Sequence, residues 1–245
     1  MTQKTEMALS PTSRKHVIII EGPIGAGKTE LTNELGRALG PSTLTLIEPD
    51  EKDGANPYLS DYYEDPTRYS FTMQMHLLGK RLRMHLQAQW HALNGYGDAV
   101  LDRSFYGDTS FARLQLAMGL MSPREFETYQ MLYQAMTTQV LLPTVCIRLL
   151  VDPETCNKRV LHRMQEQEGR QCEKGIDLEY LVRLDREIEG MVNVLKAQGV
   201  SGYEVPWDVE RKDAAAREGA VKGLVSRIRA VTPPDIFLDL HRRTV

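Results

Sequence analysis

Residues 22–29 constrain the fold of this chain more than any other feature of the sequence. They match the pattern G-x-x-x-x-G-K-[ST], with an apolar run before them at residues 16–21 and a helical pattern after them at residues 30–39. The glycines let the backbone curl, so that its N–H groups and the helix N-terminus can surround phosphate oxygens. This strand, loop and helix predict a site for the phosphates of a nucleotide.

The residues of this phosphate-binding loop are Gly22, Pro23, Ile24, Gly25, Ala26, Gly27, Lys28 and Thr29. We expect Lys28 to reach the β- and γ-phosphates of the nucleotide and the Thr29 hydroxyl to bind Mg²⁺. GTPases and motor proteins use the same loop, so the second substrate has to be inferred from other residues.

Four further short apolar runs predict strands, at residues 43–48, 99–102, 144–151 and 203–206. They are nearly continuous rather than alternating, which is typical of parallel strands buried on both faces. The segments between them are long enough for helical crossovers, with long helices predicted at residues 66–93 and 122–142. The second of these begins with Ser122 as the cap and Pro123 at the first helical position. The pattern predicts a three-layer α/β domain with a five-stranded parallel sheet.

Composition narrows the possible partners. The 245 residues carry a formal net charge of −3, which gives no general attraction to a nucleic-acid polymer or an acidic membrane. No apolar run is long enough to cross a bilayer. The three cysteines, Cys146, Cys156 and Cys172, lack the spacing of a zinc site and favour a cytoplasmic location. We expect residues 1–15 to be a disordered leader, 16–232 a single domain and 233–245 a tail.

Two predicted strands end in charged residues. Asp102-Arg103-Ser104 closes one, and Glu48-Pro49 closes another. Because ligands bind at the carboxyl edge of parallel sheets, Asp102 is a candidate for the Mg²⁺ side, Arg103 for stabilising charge and Glu48 for a general base. The alternatives are a solvated salt bridge for the aspartate and arginine, and an ordinary strand-end acid for Glu48.

Taken together, the motifs resemble the deoxynucleoside kinase family over residues 16–212. They are residues 22–29, Glu48-Pro49, Asn56-Pro57-Tyr58, Phe71-Thr72-Met73-Gln74 and Asp102-Arg103-Ser104, in this order. The resemblance implies a P-loop kinase fold, ATP as donor, Mg²⁺ as cofactor and a small-molecule deoxynucleoside as acceptor. It also implies a homodimer formed through helices 66–93 and 122–142, although their Met and Leu stripes could instead be plain core.

The resemblance also implies roles for individual residues. Glu48 is the expected base, and Arg103 contacts it and the 5′-oxygen. Arg159 and Arg163 belong to a lid around residues 159–175 that closes over the transferring phosphoryl group. The remaining implied contacts are Gln74, Arg81 and Asp108 with the base, Tyr63 and Glu173 with the 3′-hydroxyl, and the loop at 209–213, including Glu210, Arg211 and Lys212, with the donor base.

The base preference has a physical basis. Asp108, held by Arg81, can accept a hydrogen bond from an exocyclic amine, and it opposes the thymine carbonyl. This favours purine deoxynucleosides, with deoxycytidine next, although the pair could be a structural salt bridge. The chain departs from the family pattern in three places. The lid over 164–174 is about five residues longer, and Met73 replaces the aromatic residue often found before the family's glutamine. The phenylalanine that the resemblance implies on the other face of the base is displaced to Phe111, which Ala112 follows.

Two rival functions remain. One is a thymidylate-like kinase of nucleoside monophosphates, but such enzymes usually carry an arginine directly before the glutamate–proline pair, where this chain has Ile47. The other is a non-catalytic, kinase-like scaffold subunit. Such a subunit has little need to keep Lys28, Glu48, Arg103 and the lid arginines together.

Overall fold

The computed structural model describes residues 15–47, 56–138, 140–166, 176–208 and 213–233. Within these ranges the strands are β1 (Val17–Glu21), β2 (Leu44–Leu46), β3 (Ala99–Asp102), β4 (Val145–Leu150) and β5 (Ser201–Pro206). The helices are α1 (Lys28–Leu39), α2 (Leu59–Glu64), α3 (Pro66–Leu93), α4 (Phe105–Ala117), α5 (Pro123–Thr137), α6 (Pro153–Glu166), α7 (Leu178–Ala197) and α8 (Ala214–Arg229).

The five strands form one parallel sheet in the order β2-β3-β1-β4-β5. The middle strand β1 is buried along its whole length, which explains its continuous apolar sequence. Helices α1 and α8 pack together, as do α3, α4 and α7, and these groups flank the sheet. The predicted three-layer α/β fold with a five-stranded parallel sheet is therefore confirmed.

The register of the sheet determines where the functional residues meet. Ile20 of β1 pairs with Asp102 of β3, and Glu21 pairs with Arg148 of β4. The phosphate-binding loop follows Glu21 directly, so it lies at the same edge as the end of β3. The carboxyl edge of the sheet therefore carries the loop and the Asp102-Arg103-Ser104 turn together.

The long helix predicted at residues 66–93 is confirmed as α3, but the helix predicted at 122–142 ends at Thr137. Residues 140–142 are not helical, and Pro143 contributes to this because a proline disfavours helical backbone in the residue before it. The released backbone at Leu141 bonds to α3 instead. Its N–H donates to Oε1 of Gln89 at 3.0 Å, and its carbonyl oxygen lies 3.0 Å from Nε2 of His85.

The buried apolar side chains form two clusters. The larger one surrounds the sheet, and the smaller one lies among α3, α4 and α5 around Leu78, Phe105 and Tyr129. Across the residues that the structure describes, no helix is long and apolar enough to span a membrane. The larger cluster includes Ala26 of the phosphate-binding loop, and the smaller cluster includes residues of both α3 and α4.

Candidate active site

The phosphate-binding loop depends on two glycines with left-handed backbone. Gly25 has φ +82° and Gly27 has φ +90°, conformations that other residues rarely adopt. A Cβ atom on Gly25 would lie 2.6 Å from the carbonyl oxygen of Cys156 in α6. The loop therefore packs directly against α6, and any side chain at Gly25 would force the two apart.

Lys28 is buried at the start of α1. Its ammonium donates to the carbonyl oxygens of Gly22 at 3.2 Å and Pro23 at 2.9 Å. These bonds connect the last part of the phosphate-binding loop to its first two residues. This places a fixed positive charge beside the backbone N–H groups at the α1 N-terminus. The arrangement suits the phosphates of a nucleotide, as the sequence predicts.

Thr29 and Asp102 supply the candidate metal ligands. The exposed Thr29 hydroxyl donates to the buried Asp102 carboxylate, although 73 residues separate them in the chain. Both are hard oxygen ligands, which Mg²⁺ prefers, and it usually completes its shell with waters and substrate phosphates. In the described ranges no cluster of three or more His, Cys, Asp or Glu offers a site made by protein alone. The pair therefore fits a magnesium ion that arrives with a nucleotide.

Arg103 is buried at the turn between β3 and α4. Its Nη2 donates to the Gly22 carbonyl oxygen at 3.3 Å, so it contacts the start of the phosphate-binding loop. Its guanidinium lies 4.6 Å from the centre of the Phe111 ring. The resemblance implies a phenylalanine on the base, whereas Phe111 stacks on Arg103 in this structure.

Three further predicted residues lie on α3 and α4. Arg81 of α3 forms an ion pair with Asp108 of α4, and both side chains are buried. Gln74 lies two turns before Arg81 on the same helix, and it is completely buried. Neither the nitrogen nor the oxygen of the Gln74 amide has a hydrogen-bond partner among the described residues. A buried amide of this kind is suited to the edge of a bound base.

The other predicted acceptor contacts are only partly visible. Tyr63 is half-buried at the end of α2, and its ring packs edge-on against Tyr62 with centroids 5.2 Å apart. Glu48 and Glu173, like the donor-base residues Glu210, Arg211 and Lys212, lie outside the described residues. Their roles remain predictions from the sequence.

The lid arginines lie one helical turn apart on α6. Arg159 donates to the carbonyl oxygens of Gly25 at 3.4 Å and Ala26 at 3.2 Å, and to that of Trp207 at 3.3 Å. It therefore sits against the phosphate-binding loop. Arg163 is half-buried and shares this face of the helix because of the i,i+4 spacing.

Sequence reasoning missed three residues beside the loop. Trp207 follows β5, and a Cβ atom on Gly27 would lie 3.1 Å from its indole ring. Arg217 of α8 lies over this ring at 5.4 Å and pairs with Glu30 and Glu34 of α1. A lone tryptophan after an apolar run was the available signal for Trp207, whereas nothing near Arg217 in the chain indicates its partners.

The third missed residue is Glu21, the last residue of β1. Its carboxylate is fully buried and accepts hydrogen bonds from the backbone nitrogen and hydroxyl of Ser104. Burial raises the pKa of Glu21, and Arg103 is the strongest of the groups that oppose this rise. An acid directly before the loop and after three isoleucines was a visible signal, because an acid at the end of so buried a strand needs a partner.

These contacts define a class of protein. A loop that encloses phosphates, a Thr29–Asp102 oxygen pair and three basic side chains meet at the carboxyl edge of a parallel sheet. That is the donor site of a P-loop nucleotide-binding protein. Gln74, Arg81 and Asp108 are buried polar residues of α3 and α4 that do not belong to this donor site.

Comparison with known proteins identifies the family. A model of the family described as "Deoxynucleoside kinase" matches residues 18–231. Since this match covers most of the chain, the chain belongs to the deoxynucleoside kinase family, as its motifs predict.

Two relatives come from Dictyostelium discoideum. A deoxyguanosine kinase is 34% identical over 192 residues, which are 78% of this chain and 64% of that protein. A deoxyadenosine kinase is 38% identical over 167 residues, which are 68% of this chain and 62% of that protein. The matches therefore span less than two thirds of the length of these relatives.

The fold has solved counterparts. The structure of deoxyadenosine kinase from M. mycoides with bound dATP aligns with a TM-score of 0.68 and 22% identity. The alignment covers 88% of this chain and all of that one. It supports the same arrangement of sheet and helices.

Proposed function

We propose that this chain transfers the γ-phosphoryl group of ATP to the 5′-hydroxyl of a deoxynucleoside, as in nucleotide salvage. The observation that carries the proposal is the buried group of Gln74, Arg81 and Asp108 beside a complete phosphate-binding loop. A protein that only hydrolyses a nucleotide has no need for a second buried polar site. Ile47 supports a nucleoside over a nucleotide acceptor, because it offers no charge to a substrate phosphate.

The same group favours a purine deoxynucleoside, with deoxycytidine next. Asp108 is completely buried and bound to Arg81, so it is suited to accept a hydrogen bond from an exocyclic amine. Gln74 offers one donor and one acceptor to the remaining edge of the base. The names of the two Dictyostelium relatives, which refer to deoxyguanosine and deoxyadenosine, support this preference.

Phosphoryl transfer needs a base and stabilisation of charge. We assign the base to Glu48, which follows β2 by two residues, and the transfer-site charge to Arg103. Lys28 and Arg159 lie on the phosphate-binding loop, and Arg163 lies one turn beyond Arg159 on α6. Thr29 and Asp102 would hold a Mg²⁺ ion, which would supply neutralisation of the phosphate charge.

The acceptor class provides the test. The protein is incubated with MgATP and each of the four deoxynucleosides, and in parallel with their 5′-monophosphates. We expect products from deoxyadenosine, deoxyguanosine and deoxycytidine, little from thymidine and none from the monophosphates. Lys28→Met serves as the inactive control. Turnover of monophosphates alone would assign the chain to the nucleotide kinases, and no turnover with any acceptor would assign it to the scaffolds.

We also propose a homodimer through α3 and α5, which pack side by side. In α3, Leu86, Trp90 and Leu93 are 44%, 59% and 47% exposed, and their spacing puts them on one face. In α5, Met131 is 60% exposed. These side chains are therefore not core in a single chain, whereas Leu78 of α3 is. A second copy in the cytoplasm would cover such a face.

Light scattering tests the dimer. We expect twice the chain mass of 27.8 kDa. Trp90→Glu should shift the protein to the monomer, whereas Met118→Glu, a control outside both helices, should not. A monomeric wild-type protein at micromolar concentration would contradict the proposal.

A further inference from the structure

Glu21 is a buried carboxylate to which the proposed reaction gives no role. Its Oε1 accepts hydrogen bonds from the backbone nitrogen of Ser104 at 2.9 Å and from the Ser104 hydroxyl at 2.7 Å. Glu21 and Ser104 are 83 positions apart in the chain, so these bonds tie the end of β1 to the start of α4. A buried carboxylate is costly unless it is paired and hydrogen-bonded, so its immediate partners indicate what it does.

The second oxygen of Glu21 faces Arg103. Oε2 lies 3.9 Å from Nη1 of Arg103 and accepts no hydrogen bond from the described residues. Burial raises the pKa of Glu21, and among the groups that lower it Arg103 has the largest effect, followed by Ser104 and Lys28. One carboxylate oxygen therefore holds the turn, and the other is aimed at the guanidinium.

The backbone of Arg103 shows why this turn needs support. Its φ of +65° makes it the one non-glycine residue in the described ranges with left-handed backbone. That conformation costs about 1 kcal/mol and persists only when the surroundings enforce it. The surroundings are close-fitting, since a Cβ atom on Gly107 would lie 2.5 Å from Oε2 of Glu21. The first turn of α4 is thus packed directly against the carboxylate.

We propose that Glu21 is a positioning residue for phosphoryl transfer: bound to Ser104, it directs the Arg103 guanidinium into the transfer site through its negative charge. The inference rests on the proposed function, because Arg103 is assigned to the transfer site there. The neighbouring Asp102 lies on the same turn, so the same anchor also holds the candidate metal ligand. Glu21 does not touch the substrate in this account and acts through Arg103.

Glu21→Gln tests the charge while keeping an oxygen for Ser104. We expect the single-turnover rate of phosphoryl transfer to fall about 10- to 100-fold, with the KM values for ATP and deoxynucleoside within about 3-fold of wild type. The melting temperature should fall, because Glu21→Gln leaves the buried Arg103 guanidinium without the carboxylate that it faces at 3.9 Å. A merely structural acid predicts the same loss of stability with the rate retained.

The matched control is Asp185→Asn. Asp185, on α7, is a carboxylate partner of buried Arg148 at 2.9 Å, and Glu189 lies 3.5 Å from the same guanidinium. The variant removes one carboxylate charge beside a buried arginine that does not belong to the proposed transfer site, and its rate should stay within about 2-fold of wild type. An equal loss of rate in this control would show that any broken buried pair slows the enzyme, which would overturn the proposal.

A double-mutant cycle with Arg103→Met separates this inference from the proposed function. If Glu21 acts through Arg103, adding Glu21→Gln to Arg103→Met should lower the rate by less than about 2-fold. Full, independent losses from both changes would overturn the role of Glu21 and leave that of Arg103 intact. A fully active Arg103→Met enzyme would refute the assignment of Arg103 itself and the inference with it.

Gly107→Ala provides a second variant if Glu21→Gln does not fold. Its Cβ atom would displace Oε2 and keep both charges, so we expect the same selective loss of rate with unchanged KM values. A Gly107→Ala enzyme with wild-type rate would show that the position of the carboxylate is irrelevant to transfer.

Discussion

The Arg81–Asp108 pair gives a prediction that separates base recognition from plain stability. Arg81 is 5% exposed and Asp108 is completely buried. Asp108→Ala would leave the guanidinium buried without its carboxylate, at a cost of about 3–5 kcal/mol in the free energy of unfolding. Arg81→Met would leave the Asp108 carboxylate buried without its guanidinium, at a similar cost in the free energy of unfolding. The double variant removes both charges of this pair. Its loss in the free energy of unfolding should therefore be smaller than the sum of the two single losses by about 2 kcal/mol or more.

Urea unfolding of the four proteins measures this coupling. The control is Glu179→Ala, which breaks the exposed Arg183–Glu179 pair, with side chains 37% and 78% exposed. An exposed pair contributes little, so this change should stay within about 0.5 kcal/mol. Strictly additive losses from the two buried changes would refute the buried-pair reasoning.

The same double variant tests base recognition. An ionised Asp108 opposite a thymine carbonyl leaves two acceptors unpaired, which corresponds to about 10- to 100-fold discrimination. Arg81→Met with Asp108→Ala should therefore gain kcat/KM for thymidine and lose it for deoxyadenosine and deoxycytidine. If the ranking of the four deoxynucleosides stayed the same in a folded double variant, the pair would be structural.

Three further predictions concern the loop, the core and the base. Gly25→Ala combines a φ of +82° with a Cβ atom 2.6 Å from the Cys156 carbonyl, so it should abolish measurable ATP binding in calorimetry while the circular dichroism spectrum is retained. Burial lowers the pKa of His85 to about 4, so His85 is neutral in the folded state and takes up a proton on unfolding below pH 6.5. The free energy of unfolding should therefore fall as the pH is lowered from 6.5 to 4, by on the order of 3 kcal/mol. In urea unfolding at several pH values, His85→Gln should show a smaller dependence of this free energy on pH, and an unchanged dependence would contradict the prediction. Glu48→Gln keeps size but removes basicity, so kcat should fall by about 10²-fold with little change in KM, and a near-normal kcat would exclude Glu48 as the base.

Local signals predicted much of this fold. The continuous apolar runs gave β1 and β3 because buried parallel strands leave no polar face. The Ser122 capping box with Glu125 marked the start of α5, since such a cap depends only on residues three positions apart. The glycine pattern identified the phosphate-binding loop for the same reason, because its backbone shape is encoded within eight residues.

What the sequence could not reveal depends on distant contacts. The backbone of Leu141 bonds to His85 and Gln89 of another helix rather than extending α5, whereas periodicity alone extended the predicted helix to residue 142. The left-handed backbone of Arg103 occurs without a glycine that would indicate it, and the Glu21–Ser104 contact beside it joins residues 83 positions apart. The stacking of Phe111 on Arg103 is likewise a contact that no sequence motif indicates.

The fate of the γ-phosphoryl group distinguishes transfer to a deoxynucleoside from hydrolysis of ATP. The protein is mixed with MgATP labelled with ¹⁸O in the γ-phosphoryl group and with deoxyadenosine or deoxyguanosine, and the products are analysed by mass spectrometry. We predict labelled deoxynucleoside 5′-monophosphate in amounts equal to the ADP formed, and neither product with Lys28→Met. Labelled inorganic phosphate with unchanged deoxynucleoside would contradict the account, because the phosphate-binding loop would then serve hydrolysis and not transfer.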